Sequence, residues 1–170
     1  PIYSTCIALM KNNEVLLGVV YEMNLDECFY AWKEGGAWLN GNQINVSETN
    51  KLSESLIATG FPYYDYERMT EYMNVFEYCM RNTHGIRRLG SAAVDIVYVA
   101  CGRFEGFYEY GLNAWDVAAG VCIVKEAGGK VSDFSGGDNY IFGREIITNN
   151  AGTFEEFLKV VKKEFKKNHS

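Results

Sequence analysis

The sequence predicts a layered α/β fold in two parts: an antiparallel strand meander over residues 1–50 and an alternating α/β sheet over residues 51–170. Two observations carry that prediction. Up to Lys51 apolar and polar residues alternate between the turn dipeptides Asn12-Asn13 and Asn40-Gly41, and beyond it short apolar runs alternate with stretches of helical periodicity.

In the meander, strands are expected at Ser4–Met10, Val15–Glu22, Glu27–Trp32, Gly36–Leu39 and Gln43–Val46, with one face buried. Asn40-Gly41 suits a type I′ hairpin because both central positions of that turn need positive φ. Leu56–Thr59 reads as a short buried strand that Gly60-Phe61-Pro62 ends, before a helix over Asp65–Arg81. The order then runs strand Gly85–Leu89, helix Ser91–Cys101, strand Phe104–Tyr110, helix Ala114–Ala127, strands Lys130–Asp133 and Glu145–Thr148, and a final helix.

Three helices carry readable caps. Ser91 precedes an apolar helix that Gly102 follows; Asn113 and Asp116 have capping-box spacing ahead of a helix closed by Gly128; Thr153 and Glu156 repeat that spacing. Behind the last cap, Phe154, Phe157, Leu158, Val161 and Phe165 form an apolar stripe that reads as core. No internal repeat or linker is visible, so the chain reads as one structural unit.

With 48% hydrophobic and 22% charged residues the composition is that of an ordinary globular domain. A net charge of −6 and a pI near 5.0 argue against a nucleic-acid grip. The one basic run, Lys159 to Lys167, is interleaved with apolar residues and reads as the solvated face of a helix. Cys6, Cys28, Cys79, Cys101 and Cys122 show no metal or redox spacing and read as buried, reduced thiols. No apolar run reaches the length of a membrane span and no signal-peptide pattern opens the chain, so no membrane partner and a cytoplasmic location are expected.

Two places could carry chemistry. Glu109 ends a strand, Gly111 lets the loop turn, and Asp116 stands in the first turn of the next helix, at the kind of sheet edge where α/β proteins bind ligands. Asp116 reads as a helix cap; with Glu109 it also reads as part of a pair that could coordinate a hard cation such as Mg²⁺ or hold polyol hydroxyls. The second place is Arg87 to Ala93, where the N–H groups of Gly90, Ser91 and Ala92 would suit a phosphate or hydroxyl oxygen, although a tight strand-to-helix turn explains that segment equally well. His84 reads as a turn residue and His169 as part of a tail, so no histidine-based nucleophilic mechanism is expected.

The run Trp115-Asp116-Val117-Ala118-Ala119-Gly120, ending in Glu126-Ala127-Gly128-Gly129, resembles the second signature of the inositol monophosphatase family. Gly35 to Gly41 resembles that family's hairpin, Ala58 to Pro62 a segment of its bacterial members, and Arg87 to Ala93 its strand-to-helix turn. The resemblance implies an αβαβα phosphomonoesterase in which Asp116 ligates metal, Glu109 hydrogen-bonds substrate hydroxyls, and Gly90, Ser91 and Ala92 line the same pocket. It further implies two or three Mg²⁺ ions that activate a water against inositol 1-phosphate or a related sugar phosphate, and a possible homodimer.

The family's first signature, Asp-Pro-(Ile or Leu)-Asp-Gly-Thr, should lie shortly before a segment resembling Pro1 to Thr5, and the chain does not carry it. The expectation is therefore the C-terminal portion of a longer enzyme, inactive alone, with Mg²⁺ binding weak or absent. The alternatives are a fructose-1,6-bisphosphatase or nucleotide bisphosphate phosphatase of the same superfamily, or a non-catalytic association module.

Overall fold

The computed structural model describes residues 2–166. It begins with a five-stranded antiparallel meander in sequence order, β1 (Ser4–Lys11), β2 (Glu14–Glu22), β3 (Glu27–Trp32), β4 (Ala37–Leu39) and β5 (Asn42–Ile44). Positive φ at Asn12 (52°), Asn13 (62°), Asn40 (48°) and Gly41 (82°) turns the first and last hairpins as their residues predict.

After a one-turn helix at Leu52–Glu54, the second sheet is built from β6 (Leu56–Thr59), β7 (Gly85–Arg87), β8 (Gly106–Tyr110), β9 (Lys130–Ser132) and β10 (Glu145–Asn149). Its order is β7-β6-β8-β10-β9, with β6 parallel to β7 and β8 and with β10 antiparallel to β8 and β9. The helices are α1 (Met69–Asn82), α2 (Ala92–Ala100), α3 (Ala114–Glu126) and α4 (Phe154–Phe165).

The layers follow from where the apolar residues go. Residues Val117 to Val124 of α3 are all buried, as a helix covered on every side requires. One core joins Val20, Phe29 and Ala31 of the meander to α2, α3, Ala58, Phe107 and Ile146, which places α2 and α3 between the two sheets. A second core joins Ile57, Tyr108, Tyr110 and Ile147 to Tyr72 and Val75 of α1 and to Phe157 and Val161 of α4 on the far side. The Phe154, Phe157, Val161 and Phe165 stripe is thus core. On the outer face of the meander Ile7 (59% exposed) and Leu9 (57%) stand on edge strand β1, and Trp32 lies in stacked orientation 6.4 Å from both Tyr30 and Trp38.

Several expectations need correction. The helix expected from Asp65 starts at Met69, because the Asp65 carboxylate accepts the Glu67 N–H at 3.1 Å and holds the chain in a local turn. Thr153 makes no cap bond; its hydroxyl donates to Asn150 Oδ1 (2.5 Å) and accepts from Asn149 Nδ2 (2.9 Å) instead. Ser91 precedes α2 in extended conformation without a side-chain cap bond. Of the five thiols, all free, only Cys79 and Cys122 are buried, while Cys6, Cys28 and Cys101 are partly exposed. His84 is an exposed turn residue whose N–H bonds Ser55 O at 2.9 Å, and His169 and Lys167 lie outside the described residues. Among the described residues no helix is long and apolar enough to cross a membrane.

Candidate active site

Strand β8 is the middle of the second sheet and buried along its whole length. Successive side chains of a strand face opposite ways, so Tyr108 and Tyr110 enter the α1/α4 core while Phe107 and Glu109 point toward α2 and α3. Glu109 is 6% exposed there. Its carboxyl packs against the backbone of Gly60 just after β6, so closely that a Cβ at that position would force the carboxyl to shift.

The chain leaves β8 through Gly111 (φ 83°), whose N–H bonds Arg144 O at 2.7 Å. It enters α3 at Asn113, where Asp116 Oδ2 accepts the Asn113 N–H at 2.9 Å and completes the capping box expected from the sequence. The capping reading of Asp116 is thus correct, and it leaves Oδ1 for another partner. The second strand-to-helix turn arrives beside it: Gly90, at φ 100°, swings the chain from β7 into α2, whose first helical bond is Asp95 N–H to Ser91 O at 2.9 Å. The N–H groups ahead of that bond form the open helix end.

Glu109, Asp116, Gly90, Ser91 and Ala92 all line one cleft of about 590 Å³. The structure brings together every site residue the sequence singles out. It adds three that sequence reasoning missed as site residues, Asp95, Gly60 and Cys6, and puts Arg88, given no role of its own within the Arg87 to Ala93 stretch, on the same cleft. Asp95 had a signal, being the one charged residue of an otherwise apolar helix. Trp115, 72% exposed, stands at the cleft mouth.

The electrostatics are those of a carboxyl-rich, water-poor floor. Burial pushes Glu109 up to about 8; the Arg88 charge opposes this and Asp116 adds to it. Burial also raises Asp95 to about 8, with Glu109 adding and Arg88 opposing. The Arg88 guanidinium lies 5.2 Å over Phe61 and 5.8 Å over Tyr63 and hydrogen-bonds the Tyr63 hydroxyl, which fixes its charge at the cleft wall.

Residues 1–165 match the model of the inositol monophosphatase family, and the chain belongs to that family. It is 37% identical over 163 residues to the inositol-1-monophosphatase of Mesorhizobium japonicum, covering 96% of this chain and 61% of that protein. It is 39% identical over 158 residues to the Nus factor SuhB of Escherichia coli K12, covering 93% and 59%. Among solved structures, the extragenic suppressor protein suhB of Bartonella henselae superposes with a TM-score of 0.89 at 37% identity over 94% of this chain and 61% of that one. The Thermotoga maritima IMPase superposes with a TM-score of 0.85 at 40% identity over 96% and 62%. The chain spans about three fifths of the length of these relatives.

The family generally depends on Mg²⁺. Mg²⁺ takes a near-octahedral set of oxygens. Among the described residues no three His, Cys, Asp or Glu side chains gather into a metal-binding group, and Asp116 has one oxygen committed to its cap. These residues alone do not fit a Mg²⁺ centre.

Proposed function

We propose that this chain is the C-terminal, substrate-binding portion of a Mg²⁺-dependent phosphatase acting on a small polyol phosphate, inositol 1-phosphate first. The observation that carries this reading is the convergence of Glu109, Asp116 and the open end of α2 on one cleft. In it, Asp116 Oδ1 supplies one carboxylate oxygen to the metal centre, and Glu109 accepts from ring hydroxyls. The N–H groups of Gly90, Ser91 and Ala92 receive the ester's oxygens.

The test is phosphate release by the full-length protein from inositol 1-phosphate, fructose 1,6-bisphosphate and adenosine 3′,5′-bisphosphate, with and without Mg²⁺. Preference for the first ester, lost in Asp116→Asn, is expected. Equal or better release from either bisphosphate moves the assignment to the corresponding branch of the superfamily. The isolated 170-residue chain is expected to be inactive.

A second reading, association with other macromolecules, draws on the relatives named Nus factor SuhB and on the apolar outer face of the meander. Homodimer formation belongs with it. Sedimentation of the full-length protein tests the latter, with a dimer as the expected result.

A further inference from the structure

Helix α2 carries a single charged side chain, Asp95, among alanines, valines, an isoleucine and a tyrosine. Asp95 is 1% exposed, and both of its carboxyl oxygens are shut off from solvent without a hydrogen-bond partner. A carboxyl group buried without a partner is unfavourable and calls for a reason. Its place in the first turn of α2 favours an acid through the helix dipole, but it leaves both carboxyl oxygens without a hydrogen bond.

The surroundings give the group a task. Asp95 lines the floor of the cleft that holds Glu109, and the charges that act on it are those of Glu109 and Arg88. Glu109 in turn has Gly60 as a backstop on one side, so its carboxyl is confined between β6 and the α2 layer.

We infer that Asp95 is a positioning residue for Glu109, holding that carboxyl from beneath in the orientation in which it meets a hydroxyl of the phosphate ester. This rests on the hydroxyl-binding role proposed above for Glu109. Asp95 itself is too deeply covered to touch the ester. Its carboxylic acid O–H acquires an acceptor when the cleft fills and the Glu109 carboxyl is drawn into register, accepting from the ester's hydroxyl on one side and from Asp95 on the other. Specificity for a hydroxyl-bearing ester, rather than the rate of phosphoryl chemistry, is what such a group controls.

The experiment compares KM and kcat of the full-length wild type, Asp95→Ala, Asp95→Ser, Asp95→Asn and Glu109→Gln on inositol 1-phosphate and on p-nitrophenyl phosphate, an ester without hydroxyls. Asp95→Ala and Asp95→Ser are expected to raise KM for inositol 1-phosphate roughly tenfold, the effect of one lost hydrogen bond, with kcat retained. KM for p-nitrophenyl phosphate stays put, and Asp95→Asn, which keeps the size and hydrogen-bonding capacity, restores the wild-type KM. Equal KM changes for both esters, or a shift in melting temperature without any KM change, overturn the inference alone. If Glu109→Gln leaves the inositol 1-phosphate KM unchanged, the role of Glu109 fails and that of Asp95 with it. A wild type releasing phosphate from neither ester overturns the phosphatase reading as a whole.

Discussion

The Glu109 carboxyl rests on the backbone of Gly60 so closely that a Cβ at position 60 would collide with all three of its atoms. This contact joins the ends of two parallel strands, β6 and β8, and sets how far the carboxyl can retreat from the cleft. Gly60→Ala is expected to push Glu109 forward, cost about 1–3 kcal/mol of stability as overpacking does, and raise KM for inositol 1-phosphate more than for p-nitrophenyl phosphate. Urea melts and the two KM values check it; an unchanged KM would show that Glu109 yields without consequence.

Asp95 and Glu109 make stability depend on pH in an unusual direction. Burial raises Asp95 from 3.8 to about 8 and Glu109 from 4.5 to about 8, so between about pH 4 and 8 the folded protein holds protons that the unfolded chain has released. More protons bound by the native state means that stability falls as pH rises. The favourable neutral forms are fully present below the unfolded values and are lost as pH passes the folded ones. Arg88 is the cation opposing both shifts. A loss of roughly 2 kcal/mol or more across that window is expected. Asp95→Asn should flatten the curve, and melting temperatures of both proteins taken from pH 5 to 9 test this; parallel curves would count against it.

Asp116 serves the helix and, by proposal, the metal, and two substitutions separate these tasks. Asp116→Asn keeps an oxygen for the Asn113 N–H, so stability should hold while Mg²⁺-dependent phosphate release collapses. Asp116→Ala should lose the activity and also about 0.3–1 kcal/mol from the helix end. Thermal melts run beside phosphate assays tell the two apart. Retained activity in Asp116→Asn would remove Asp116 from the metal centre.

Gly18 lets the meander lie against α3. A Cβ there would run into the backbone of Ala119, with its carbonyl carbon at 2.9 Å and its Cα at 3.0 Å. Backbone in a packed helix cannot step aside, so Gly18→Ala is expected to cost about 1–3 kcal/mol or more without touching the cleft residues. A urea midpoint equal to that of wild type would show that the sheet and helix can part cheaply.

Local rules made much of this molecule legible. Strands Glu27–Trp32 and Leu56–Thr59 lie where alternation and turn residues put them, and the Asn113/Asp116 cap is visible as spacing alone. The start of α1 was hidden because Asp65 spends its side chain on a turn that periodicity does not register. Asp95 was hidden for a different reason: one acid in an apolar helix leaves the pattern intact, and its proximity to Glu109 arises only when α2 is laid on β8. The Gly60–Glu109 contact likewise depends on a parallel pairing between strands 49 residues apart, in which Thr59 Oγ1 donates to Tyr108 O at 2.7 Å.

The order β7-β6-β8-β10-β9 also sets a timetable. Each strand of the meander pairs with its neighbour in sequence, so those hairpins close over short loops and can form early. Strand β8 can take its central place only after loops of dozens of residues have closed on both sides, and such distant pairings are what slow the folding of a chain. Glu109 stands near the end of that strand. The Glu109 side of the cleft therefore rests on the long-range pairings of the molecule and not on its local hairpins.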